Sequence, residues 1–181
     1  MGIIELINEN LNSNNNITAE VKNDLFDLIL IFNKTFPNID LSNLNNRIKT
    51  LKIEPKSKYV SKNEVSSYNP VENTLTINIE KLKEDHDTKH IMMYELLKII
   101  TAKDKDYGFD KDKKLVALNA GYTEILTNML VGNESDIMYH ENEVIATNLI
   151  ARMIGDEVFM RSYFTNDYNL IDKYLRNAGL C

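Results

Sequence analysis

The apolar residues of this chain change period twice along its length, and that change limits the folds open to it. Val21, Leu25, Leu28, Ile29 and Phe32 recur at three- and four-residue spacing, the pattern of a helix with one buried face. Leu51 and Ile53 alternate with polar residues, as do Leu75, Ile77 and Ile79. Alternation marks half-buried strands. From Asp87 onward the helical spacing returns. Helix, small sheet, then four or five helices reads as α+β and mainly helical, with an antiparallel sheet of about two to four strands.

Punctuation residues set the expected boundaries. Ile3 to Leu11 reads as a short helix, and Asn12-Ser13-Asn14-Asn15-Asn16 as a loop, because Asn and Ser side chains compete for backbone hydrogen bonds. Thr18 is placed to cap the next helix, and Pro37 ends that region. Residues 1–37 are thus an N-terminal helical portion of the same domain as residues 38–181. A polar stretch with Tyr59, Val65 and Tyr68 leads to Asn69-Pro70, a turn signal. Asp87 or Thr88 caps a helix to about Thr101. Ala102 to Lys113, charged and containing Gly108, reads as a loop. Helices follow over about Leu115–Leu130, closed by Gly132, and about Glu141–Ile154, stopped by Gly155. Asp156 and Thr165 cap two last helices, ending near Gly179.

Bulk properties exclude some classes. A chain of 181 residues suits one domain, and 43% apolar with 27% charged residues is ordinary for a folded protein. The net charge of −6, with Lys and Arg scattered, argues against nucleic acid as a partner. The lone cysteine, Cys181, is the last residue, so no disulfide forms within the chain and a reduced compartment is expected. The start, Met1 to Leu6, lacks the features of a signal peptide, and Leu6 stands where myristoylation wants Ser or Thr. No run approaches the ~18 apolar residues of a membrane span. The expectation is a cytoplasmic protein that does not enter membranes.

The chemistry lies in Met93-Tyr94-Glu95-Leu96-Leu97-Lys98. Tyr94 and Lys98 are four apart and share a helix face. A zinc helix, His-Glu-x-x-His, uses that spacing for two imidazoles, with the Glu acting on metal-bound water. Here the spacing and Glu95 are kept and both histidines are replaced. About twenty residues on, Asn119-Ala120-Gly121-Tyr122-Thr123-Glu124 resembles the Asn-Glu-Gly-x-x-Glu helix of thermolysin-like zinc peptidases, the gluzincins. The framing resembles a family of small bacterial zinc peptidases. Tyr68-Asn69-Pro70 to Ile79 is similar to its turn and strand, Gly108-Phe109 to its following loop, and Tyr139-His140-Glu141-Asn142-Glu143 stands where its Tyr-x-x-Glu segment lies. The resemblance covers about residues 65–175. It implies that Tyr94, Lys98 and Ala120 stand at the three ligand positions and that Glu124 is the acid behind a ligand histidine.

The departures decide the expected function. Lysine is protonated near neutral pH and repels a dication. Alanine has no donor, and tyrosine rarely binds zinc unaided. The expectation is therefore no metal, no cofactor and no catalytic residue, with Glu95 vestigial. Lys98 is expected to pair with Glu95 or Glu124 in place of the metal, or else to reach solvent and pair with nothing. The functional expectation is a pseudo-peptidase that binds a peptide or protein, or acts as a scaffold. One alternative is an active hydrolase. It would use a shifted metal site of His90, Tyr94 and Glu124, joined by His140, or Glu95 as a metal-free base. The sequence pairs no nucleophile with Glu95. The other alternative is a purely structural helical domain. His86, His90 and His140 also read as ordinary surface histidines. Tyr107, Tyr139, Phe159, Tyr163 and Phe164 read as core or as lining of the old cleft. Lys83-Glu84-Asp85-His86-Asp87 reads as a solvated helix entry.

Overall fold

A computed structural model describes residues 2–55, 65–78, 87–109, 111–133, 139–177 and 179. The expectations for Tyr59, Ile79, residues 83–86 and Cys181 lie outside the described residues.

The order of elements follows the change of period. Helices α1 (Ile3–Ser13), α2 (Ala19–Thr35) and α3 (Ser42–Ile48) come first. Strands β1 (Lys52–Pro55), β2 (Ser66–Asn69) and β3 (Thr74–Ile77) follow. Helices α4 (Thr88–Thr101), α5 (Val116–Val131), α6 (Glu141–Ile154), α7 (Asp156–Thr165) and α8 (Tyr168–Asn177) complete the chain. The fold is mainly helical α+β. Among the described residues, no helix is long and apolar enough to cross a membrane.

Three details differ from the sequence reading. The sheet is mixed, in the order β1-β3-β2. β2 and β3 pair antiparallel, as expected for two strands joined by a tight turn, but β1 runs parallel to β3. Alternation reports which face is buried and carries no information on strand direction. The turn itself follows its residues: Asn69 Oδ1 accepts from the Val71 and Glu72 N–H groups, and Asn73 takes a left-handed φ of 51°.

Second, α3 was not expected. Its sequence, Ser-Asn-Leu-Asn-Asn-Arg-Ile, is rich in poor helix formers. Leu44 and Ile48 are nonetheless fully buried on one face, so tertiary packing overrides propensity. Third, α1 extends through Ser13, and Thr165 is the last residue of α7 rather than a cap. Asp167 takes the capping role for α8, with its Oδ1 accepting from Leu170 N–H.

Asparagines tie helix ends to their neighbours. Asn14, read as loop, is buried, and its amide donates to the carbonyls of Ile48 and Leu51. The Asn43 amide donates to Ile100 and Ala102 at the end of α4. Asn14 thereby satisfies the last carbonyl of α3, and Asn43 satisfies carbonyls at the end of α4, groups that a helix terminus leaves without partners.

One hydrophobic cluster joins the N-terminal helices to the rest. It contains Leu11 and Phe32 from the first two helices, Leu75 from β3, Leu97 from α4, Phe159 from α7 and Ile171 from α8. Residues 1–37 thus share their core with residues 38–181. Helix α4 runs through the middle, touching α2, α3, α5, α7 and β2. Every residue from His90 to Thr101 is buried except half-buried Tyr94. A helix enclosed in this way presents its few polar side chains to other protein atoms.

Candidate functional site

The polar residues of α4 meet partners from three directions. Glu95 is 1% exposed and Lys98 is 6% exposed. Charges this deep require compensation. They find it in each other, with Lys98 Nζ 2.8 Å from Glu95 Oε2 and 3.1 Å from Oε1. Ser66, on strand β2, donates its hydroxyl to Glu95 Oε1 at 2.7 Å. The ammonium also lies 5.0 Å from the centre of the Tyr107 ring and 5.5 Å from that of Tyr94, where ring quadrupoles attract a cation.

Tyr107 is positioned by its loop. Asn119, on α5, accepts from Phe109 N–H and donates to the Tyr107 carbonyl. Gly108 N–H donates to Thr101 Oγ1. Gly108 has a φ of 61°, and a Cβ there would overlap Asn119 Oδ1 and crowd the Tyr163 ring. Asn119 thus anchors the loop that covers Lys98.

One turn nearer the start of α4 lies a second buried pair. His90 Nε2 is 2.9 Å from Glu124 Oε1 across the α4–α5 contact. His90 Nδ1 is 2.6 Å from the Gly132 carbonyl, just past the end of α5. A carbonyl can only accept, so Nδ1 carries a proton. Asn128 also donates to Glu124 Oε1. The Tyr139 ring stacks on His90 at 5.0 Å, and the exposed His140 ring stacks on Tyr94 at 5.3 Å. His90 is therefore buried, not a surface histidine. His86 lies outside the described residues.

The sequence-selected residues divide accordingly. Tyr94, Glu95 and Lys98 lie on α4, and Ala120 and Glu124 on α5, which packs against it. Lys98 pairs with Glu95; Glu124 pairs with His90 instead. The candidate shifted set of His90, Tyr94, Glu124 and His140 is gathered in one region. Among the described residues, however, no group of three or more His, Cys, Asp or Glu is placed to hold a metal ion. Phe159 and Tyr163 are fully buried core residues. Phe164 is half-buried and packs edge-on against Phe32. Ser66 was not selected. Its role depends on β2 docking against α4, which no local pattern records.

Comparison with family models, with curated proteins and with solved structures finds no match to this chain. The chemistry of the residues present must therefore carry the functional reading.

Those residues do not fit zinc. Burial holds the Tyr94 hydroxyl well above its ordinary pKa, with Tyr107, Glu95, Tyr163 and Glu124 adding to the effect. It is a neutral phenol, a poor ligand for a dication. Lys98 offers a cation, and Ala120 offers no donor. A cavity of about 650 Å³ lies elsewhere, between α2 and the start of α4, where Leu28, Ile31 and Met92 form part of its wall and Asp24 and Asp27 also line it.

The His90 pair makes stability depend on pH. Burial opposes the charged imidazole, but the Glu124 carboxylate and the Gly132 carbonyl outweigh it, and the pKa is raised above 6.5. A raised pKa contributes stability that is complete below the unfolded value of about 6.5. It is lost as pH rises through the folded value. Urea unfolding midpoints should therefore fall across that window. A His90→Gln variant should remove that component of the fall. Parallel pH profiles for the two proteins would show that His90 contributes nothing.

Proposed function

We propose that this chain is a non-catalytic protein built on a metallopeptidase-like plan, with a peptide or another protein as its partner. The observation that carries this reading is the Lys98 ammonium held 2.8 Å from the buried Glu95 carboxylate. By resemblance, this lysine stands at a ligand position and this glutamate at the position of the residue that acts on metal-bound water. A fixed cation of the protein then sits where the resemblance would place the ion, and it stabilises the carboxylate between α4 and β2. What such an arrangement can still offer a peptide is surface. Among the described residues β2 has one strand neighbour, β3, and a sheet edge is one means of taking up an extended peptide.

The test is metal content, measured by elemental analysis on protein purified without chelator. The chain is expected to hold far less than one zinc per molecule. A variant carrying Tyr94→His, Lys98→His and Ala120→Glu is expected to bind about one zinc, since it supplies the His, His and Glu of a catalytic zinc site. Stoichiometric zinc in the unaltered chain would overturn the non-catalytic reading. A folded triple variant that takes no zinc would overturn the metallopeptidase-like plan.

One observation favours a second reading, a metal-free hydrolase. Ser66 Oγ donates directly to Glu95, so a hydroxyl and a carboxylate are already paired in the manner of a nucleophile and its base. Under that reading, hydrolysis of simple ester substrates is present in the unaltered chain and absent from Ser66→Ala. Equal rates for the two proteins would remove it.

A further inference from the structure

Helix α6 turns one face to its neighbour and leaves an apolar stripe on the other. Thr147 and Ala151 are buried, and Thr147 Oγ1 donates to the Leu118 carbonyl of α5. On the outer side Ile145 is 54% exposed, Leu149 58% and Met153 60%. These three follow at four-residue spacing, so they form one line along the helix. A contiguous line of large apolar side chains differs from singly scattered ones, and an apolar line rimmed by charges is the pattern of an interaction surface.

The charges bordering the stripe say what covers it. Glu141 lies one turn before Ile145, and Arg152 lies three residues after Leu149. At about 100° per residue, both fall on the side of the helix that carries Ile145 and Leu149. Both are exposed, and among the described residues neither takes part in an ion pair. The face thus reads acid, Ile, Leu, base, with Met153 beyond Arg152 at the end of the stripe.

Such a face is complementary to itself when reversed. Place a second α6 antiparallel, related by a twofold axis at the level of residue 147. Ile145 then meets Leu149 of the second copy, and Leu149 meets its Ile145. Arg152 arrives beside the second copy's Asn142, within reach of its Glu141, and the same pair recurs at the other end. A parallel arrangement would instead set Glu141 against Glu141. We infer that α6 is the contact helix of a symmetric homodimer, in which an Ile145–Leu149 centre is flanked by two Glu141–Arg152 pairs. The contact is isologous, as closed twofold association requires. It is also weak, because one helix face is smaller than the roughly 800 Å² per partner of standard interfaces. This inference does not depend on the Lys98 reading.

Sedimentation equilibrium of the full chain, at about 0.15 M salt to screen the net negative charge, tests it. The average mass should rise toward two chains as concentration increases. Leu149→Glu should stay monomeric. Glu141→Arg and Arg152→Glu should each weaken the dimer roughly tenfold, because each turns two attractive contacts into repulsive ones. Mixing those two variants should restore association, since both cross pairs are then opposite in charge. Far-UV circular dichroism and thermal unfolding establish that each variant is folded. A chain that stays monomeric up to about 1 mM overturns the inference and leaves the stripe to a different partner. So does a dimer indifferent to Leu149→Glu, or a charge-swapped mixture that fails to associate.

Discussion

Replacing Lys98 by methionine is expected to lower the stability of the fold by about 3–5 kcal/mol. The size of the effect comes from what is left behind. Methionine fills much of the same space, so packing changes little. Glu95, 1% exposed, loses the ammonium 2.8 Å away and, among the described residues, keeps the Ser66 hydroxyl. A buried carboxylate without its cation is far costlier than a pair that was never charged. The same argument predicts a rescue. Glu95→Gln in the Lys98→Met background should recover most of the loss, because a neutral amide oxygen can still accept from Ser66. Urea unfolding of the two single variants and the double variant gives the coupling directly. Single variants that add without coupling would show that Lys98 does not compensate the buried Glu95 carboxylate.

Gly121→Ala should be the second large effect, and here two physical rules predict opposite signs. Helix propensity alone favours alanine by about 1 kcal/mol. Packing opposes it, because a Cβ at position 121 would overlap the Glu143 carbonyl oxygen and Thr147 Oγ1. One of those atoms is backbone and the other belongs to a fully buried side chain, so neither yields easily. The overlap forces α5 and α6 apart along their contact. The net expectation is a loss at or beyond the upper end of the roughly 1–3 kcal/mol typical of overpacking. Thermal unfolding compared with Ala120→Gly, which should lose only about 1 kcal/mol from propensity, separates the two rules. A more stable Gly121→Ala protein would mean that the helices adjust without strain.

Gly121 also shows where sequence reading stops. It stands in the middle of an apolar helical run, and nothing local distinguishes it from a weak point in a helix. Its reason for being glycine is the carbonyl of Glu143, twenty-two residues later. Ser66 is a similar case. It sits in a polar stretch with no motif, and it matters only because β2 lies against α4. The same separation explains the partner of Lys98. Spacing placed Lys98 near both Glu95 and Glu124. The choice fell on Glu95 because His90, about two turns nearer the start of α4, already engages Glu124.

The periodic apolar residues by themselves determined the helices α2, α4, α5 and α6, the strands β1 and β3, and the α+β class. Each of those signals is local, since burial of one face repeats every few residues. The caps were legible for the same reason where a side chain meets a backbone group three residues away, as Asp87 does with His90 N–H. Strand direction, the existence of α3 and the pairing of four buried polar residues were decided only by tertiary structure. A buried charge or carbonyl must find a partner within about 3 Å. Which partner that is depends on how helices and sheet dock, and docking is a property of contacts distant in sequence.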